Sequence, residues 1–134
     1  MSKKKILIVD DDHDIVDILK ALLETEGYDI IEAYDGKEGI DKAYQHMPHL
    51  ILLDIMMPVM DGWQVCQRLK ACKKTSNIPI AIITAKAEQE DRNRAKKEGA
   101  DDYITKPFRP EDLILRIQKN LKGSEGSLRL TMIA

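Results

Sequence analysis

Hydrophobic residues fall in two rhythms along this chain: short unbroken aliphatic runs, and longer stretches that repeat every three or four positions. The run Leu50 to Leu53, set between Pro48 and Pro58, has the composition of a strand buried on both faces. Ile6 to Val9 and, behind Pro79, Ile80 to Ile83 have the same character, and Asp29 to Ala33 and Asp101 to Thr105 read as two further strands. Between the first two, Ile15, Ile18, Leu19, Leu22 and Leu23 line one face of a helix that Gly27 stops. Asp35 with Glu38 has the pattern of a capping box and opens a second helix, inward at Ile40, Ala43, Tyr44 and Met47 and ended by Pro48. A third follows the Asp61-Gly62 turn with Val65, Cys66 and Leu69 inward, and Pro110 opens a last one with Leu113, Ile114, Ile117 and Leu121 inward. The stretch from Ala87 to Glu98 is helical in composition but offers only Ala87 and Ala95 as apolar residues, so it is expected to be the least firmly held helix. From Gly123 the pattern stops. The chain therefore divides into one domain over residues 1–122 and a tail, 123–134, that opens like a flexible linker and ends apolar, with no structure assigned.

Strands that alternate with helices imply a parallel sheet covered on both faces, because parallel neighbours need crossover connections. The expected architecture is a three-layer α/β/α sandwich. In such sheets ligands sit outside the carboxyl ends of the strands. Asp10, Asp11 and Asp12 follow the first strand, Asp54 the third, Thr84 ends the fourth, and Lys106 lies just past the fifth. Asp54 is the candidate reactive group, since a strand buried on both faces has no structural use for a terminal carboxylate.

Composition narrows the partners. With 134 residues there is room for one domain of ordinary size. The charged fraction is 33%, of mixed sign, with a net charge of -2, which argues against direct nucleic-acid binding; Lys3, Lys4 and Lys5 read as a solvated lead-in to the first strand. No apolar run approaches the ~18 to 20 residues of a membrane span, and a cytoplasmic location is expected. Cys66 and Cys72 point in different directions on one helix, so no disulfide is expected, and without a CxxC spacing neither is zinc.

Crowded carboxylates repel one another and either hold protons or hold a hard cation. Magnesium suits the set, because it takes oxygen ligands, accepts one or two carboxylates and completes its shell with water and phosphate oxygens. Lys106 adds a positive charge and Thr84 a hydroxyl, the two groups that the oxygens of a phosphoryl group need. Together these residues make a phosphoryl-transfer site with a covalent aspartyl phosphate. One of Asp10, Asp11 and Asp12 is expected to cap the first helix instead. His13 reads as a surface residue, since magnesium is indifferent to imidazole, and His46 and His49 read as loop residues around Pro48. Met47, Met56, Met57, Met60 and Trp63 read as core or rim filling.

The runs ILIVDDD at 6–12, LLDIMMPVMDG at 52–62, IITA at 82–85 and GADDYITKPF at 99–108 resemble the receiver domains of bacterial two-component response regulators, over about residues 4–122. The resemblance implies a flavodoxin-like fold with strand order 2-1-3-4-5. It implies that Asp54 accepts a phosphoryl group from a phosphohistidine on a sensor histidine kinase or phosphotransfer protein. Asp11, Asp54 and the Met56 carbonyl would hold Mg2+ directly and Asp10 through water, while Thr84 and Lys106 would contact the phosphoryl oxygens. Thr84 and Tyr103 would couple the site to a face made by helix four, strand five and helix five, and the Lys106-Pro107 bond would be cis. Glu111, Asp112 and Arg116 are similar to the transcription-factor branch that forms homodimers through that face, with Arg92, Arg94, Lys96 and Lys97 as the other halves. Two other chemistries share parts of this pattern. A phosphatase of the haloacid dehalogenase kind would use Asp10 as nucleophile and Asp12 as acid-base but leaves Asp54 unexplained, and a flavin-binding module would need a phosphate loop that the acidic residues after strand one do not provide.

Overall fold

The structure is a computed structural model that describes residues 3–133, with side chains over 3–122. Among the described residues the order is β1 (Lys5–Val9), α1 (His13–Thr25), β2 (Asp29–Ala33), α2 (Gly36–His46), β3 (Leu50–Leu53), α3 (Gly62–Ala71), β4 (Ile80–Thr84), α4 (Gln89–Lys97), β5 (Asp102–Thr105) and α5 (Pro110–Ile133). All strand pairs are parallel and the sheet order is β2-β1-β3-β4-β5, as the resemblance implies. Alternate side chains of each strand point to opposite faces. Ile6, Ile8, Leu50, Leu52, Ala81 and Ile83 pack on α1 and α5, whereas Leu7, Val9, Ile51, Leu53, Ile80 and Ile82 pack on α2, α3 and Ala95 of α4. β1, β3 and β4 are therefore buried on both sides, the reason their sequences are unbroken aliphatic runs.

Several expectations need correction. In α1 the buried stripe is Val16, Leu19 and Leu23, and Ile18 is 56% exposed. Counting roughly 100° per residue, Ile18 lies roughly 130° from the middle of that stripe, so admitting Val16 turns Ile18 outward. In α2, Met47 is exposed as a left-handed C-cap residue (φ 46°), and His46 is the last helical residue rather than part of the loop. The Asp35 box is half formed: Asp35 accepts from the Glu38 N–H, but the Glu38 carboxylate accepts from Tyr34 N–H. The last helix does not stop near residue 122 but runs to Ile133. Extending a packed helix adds one hydrogen bond per residue fixed, which outweighs the glycines at 123 and 126 that marked a stop. Ala134 lies outside the described residues. No helix among those residues is long and apolar enough to cross a membrane.

β1 leads to β2 on one side and to β3 on the other, so the winding direction reverses between β1 and β3, where a crevice opens at the carboxyl edge. Val9 is in register with Leu53, which brings Asp10 and Asp54 to that edge together.

Candidate phosphoryl-transfer site

Backbone bonds fix each member of the site before its side chain does anything. Asp10 N–H donates to Ala33 O at 3.1 Å, Asp54 N–H to Val9 O at 3.0 Å, and Lys106 N–H to Thr84 O at 2.7 Å, each continuing a strand pairing by one residue. Gly62 N–H closes the loop after β3 by donating to Ile55 O at 3.2 Å. A Cβ on Gly62 would sit 2.3 Å from the Asp54 carbonyl oxygen, so only glycine lets α3 start this close to β3. Asp61 and Gln64 form a reciprocal capping box there, a feature that the D-x-x-Q spacing signals and that goes beyond the turn expected at Asp61-Gly62.

The side chains then converge. Lys106 Nζ donates to Asp10 Oδ2 at 2.9 Å and to Asp54 Oδ2 at 3.2 Å, one ammonium bridging two buried carboxylates. Asp10 Oδ1 accepts from Asp12 N–H at 3.0 Å, and Asp54 Oδ1 from Met56 N–H at 2.9 Å. Asp11 is exposed, and carboxylate oxygens of Asp10, Asp11 and Asp54 all lie within 4.8 Å of one another. Burial raises the Asp10 pKa above the usual carboxylate range and the charge of Asp54 adds to this, while the Asp12 N–H and Lys106 act the other way. Burial pulls the Lys106 pKa down, but the Asp10 and Asp54 carboxylates outweigh it and hold the ammonium charged. Three carboxylates against one ammonium leave negative charge that a hard cation neutralises. The all-oxygen donor set fits magnesium.

Asp12 is the residue that caps α1, accepting from Asp14 N–H at 3.0 Å and Ile15 N–H at 3.4 Å, which takes it out of the acid-base role the phosphatase alternative needs. Thr84 is fully buried, and its Oγ1 accepts from Lys86 N–H at 3.4 Å rather than bonding any of the carboxylates. Tyr103, also buried, donates its hydroxyl to Lys86 O at 2.7 Å. Thr84 and Tyr103 are therefore joined through the two backbone groups of Lys86, its N–H on one side and its carbonyl on the other, a link that no residue pattern discloses. Arg92 stacks over the Tyr103 ring at 5.1 Å and Arg94 over the Trp63 ring at 4.8 Å. Met56 is 52% exposed beside Asp54, and the Lys106-Pro107 bond is cis. His13 is exposed and stacked on Tyr34, and His49 accepts from Lys5 N–H through Nδ1. Cys66 and Cys72 are free thiols.

The family described as the response regulator receiver domain matches residues 6–118. This chain belongs to that family. A CheY-like receiver domain protein from Methanospirillum hungatei is 35% identical, the match covering 94% of this chain and 99% of that one, with a TM-score of 0.87. The receiver domain of a Francisella response regulator is 35% identical over 90% of this chain and 98% of its own, with a TM-score of 0.82. The receiver domain of a Pseudomonas aeruginosa sensor histidine kinase, 29% identical over 90% of this chain and 99% of its own at a TM-score of 0.83, carries a magnesium ion coordinated in its active-site cleft. Response regulator receiver domains work in two-component signalling by phosphorylation, with histidine kinases or phosphotransfer proteins as their partners.

Proposed function

We propose that this receiver domain is a switch set by a phosphoryl group on Asp54. The observation that carries the reading is the Lys106 ammonium shared between Asp10 and Asp54, with Asp11 within reach of the same point. An Asp54 carboxylate oxygen attacks the phosphorus of a phosphohistidine on a sensor histidine kinase or phosphotransfer protein. The O–P bond forms as the N–P bond breaks, and the ring nitrogen leaves with the electron pair. Lys106 and Thr84 contact the phosphoryl oxygens, and Asp11, Asp54 and the Met56 carbonyl would hold Mg2+ directly and Asp10 through water. Magnesium, when bound, supplies positive charge against the charge spread over those oxygens. Water later returns the carboxylate and inorganic phosphate, so the protein is a phosphoacceptor that takes part in its own dephosphorylation rather than an enzyme acting on a separate substrate.

Drawing the Thr84 hydroxyl toward the phosphoryl group takes it from Lys86 N–H, which loosens the residue whose carbonyl accepts from Tyr103. The readout is the α4, β5 and α5 face, which controls an output partner or forms a homodimer. Among the described residues Lys96, Lys97, Glu111 and Asp112 have no salt-bridge partner in their own chain, whereas Arg92 and Arg94 lie over aromatic rings and Arg116 is held by Asp102 through two hydrogen bonds, at 2.8 and 3.2 Å. The free halves of a charged dimer are therefore the two lysines that end α4 and the first turn of α5. In this reading the domain is residues 1–122 with 123–134 as a tail, it is cytoplasmic, and it signals without touching nucleic acid.

Intact-protein mass after incubation with acetyl phosphate and magnesium tests the assignment. Wild type should gain one phosphoryl group and Asp54→Asn none, and undiminished labelling of Asp54→Asn would overturn it. Lys106→Ala should still take up phosphate but no longer alter the α4 to α5 face, as read by amide hydrogen exchange.

A further inference from the structure

Val59 combines three features that seldom meet. It is fully exposed (104%), it is β-branched, and its φ is 68°, a left-handed conformation that such residues rarely adopt. Met60 N–H donates to Pro58 O at 2.8 Å, a bond from one residue to the second before it, so Val59 is the centre of a γ-turn of the strained, positive-φ kind. The turn is held from both ends. A Cβ on Gly36 would meet Met60 at 2.9 Å, which places Met60 against the start of α2, and Gly62 closes the loop onto Ile55. An exposed valine alone needs no explanation. One pinned in a disfavoured backbone, where Gly or Asn would sit without strain, points to a use for its side chain.

We propose that Val59 is a specificity-determining contact for the protein that donates phosphate, seated against an apolar surface beside the donor's phosphohistidine. This rests on Asp54 being the phosphoacceptor. The donor must bring its phosphorus to bonding distance of Asp54, and Val59 is five residues along the same loop, at most roughly 17 Å away if the chain were extended and nearer in a closed loop. An interface of ordinary size covers about 800 Å² on each partner, a disc of roughly 16 Å radius, so the turn lies within reach of a donor centred on Asp54. Met56, half-exposed between them, makes that ground apolar.

The experiment compares two phosphate donors, acetyl phosphate and an autophosphorylated histidine-kinase phosphotransfer domain that labels the wild-type chain. Val59→Asn keeps a residue at home in the left-handed turn and removes the apolar side chain; Val59→Ile keeps the side chain's character. For the protein donor, Val59→Asn should raise KM about tenfold with kcat unchanged, and Val59→Ile should stay close to wild type. With acetyl phosphate all three should label alike. An unchanged KM in Val59→Asn, an equal loss in Val59→Ile, or a parallel loss with acetyl phosphate would each overturn the proposal. Failure of acetyl phosphate to label wild type on Asp54 is a distinct result that removes the phosphoacceptor reading and this inference with it.

Discussion

Lys106 is exposed by only 17% of its side chain and serves two carboxylates at once, so its removal leaves Asp10 and Asp54 facing each other with no cation between them. Breaking one side of a buried charge cluster costs about 3 kcal/mol. Lys106→Met should lose about that much in urea unfolding without divalent cation, and magnesium should recover part of it by supplying the missing charge; a magnesium-independent deficit would contradict the arrangement. Gly62→Ala should be destabilised by about 1 to 3 kcal/mol, because its Cβ would meet backbone atoms of Asp54 and Ile55, which cannot rotate away. At this scale the positions of Asp10, Asp54, Thr84 and Lys106 were legible, since each polar residue stands where a hydrophobic run ends. Their partners were not. A spacing of 52 or 96 residues carries no sign of which carboxylates one ammonium will find, and nothing about a valine announces a positive φ.

Helix α4 shows what an element looks like when little holds it. Only Ala95 is buried, and Glu88 at the N-cap makes no side-chain capping bond. Its grip comes from Arg92 over Tyr103, from Arg94 over Trp63, and from the Cys66 thiol, which reaches Glu98 O just past its end. Glu88→Ser should supply the absent cap, stabilise α4 by about 1 kcal/mol and slow exchange of its first-turn amides. The weakness of α4 was readable from composition because apolar content bounds what a helix can bury. The rotation of α1 was not, since Ile18 and Val16 compete for the same core and packing decides between them. β5 carries its own pH signature. Burial alone would raise the Asp102 pKa, but Asn120, Arg116 and the Tyr103 N–H together hold it below its ordinary 3.8. An acid whose folded pKa is depressed stabilises the fold above its unfolded pKa and loses that contribution as pH falls through the folded one. Asp102→Asn should therefore lower stability at neutral pH and flatten the loss of stability below about pH 4; an unchanged acid limb would show that the contacts are weaker than their geometry.

Across the whole molecule, magnesium should act as a ligand of the folded state alone. At 100 times its dissociation constant it should add about 2.7 kcal/mol to unfolding stability. Asp11→Ala, altering an exposed residue, should leave the metal-free stability within about 0.5 kcal/mol of wild type while removing most of that increment. Equal magnesium responses in the two proteins would move the cation elsewhere. The bridge from Lys106 to Asp10 has one more consequence, and it concerns time. Its two ends lie 96 residues apart, close to the two limits of the domain, and a contact of that separation closes only after the intervening strands have docked. A chain still emerging from the ribosome, with β5 not yet released, holds Asp54 without the ammonium beside it. The means to pass a signal on is thus completed only with the fold, and an unfinished copy stays silent.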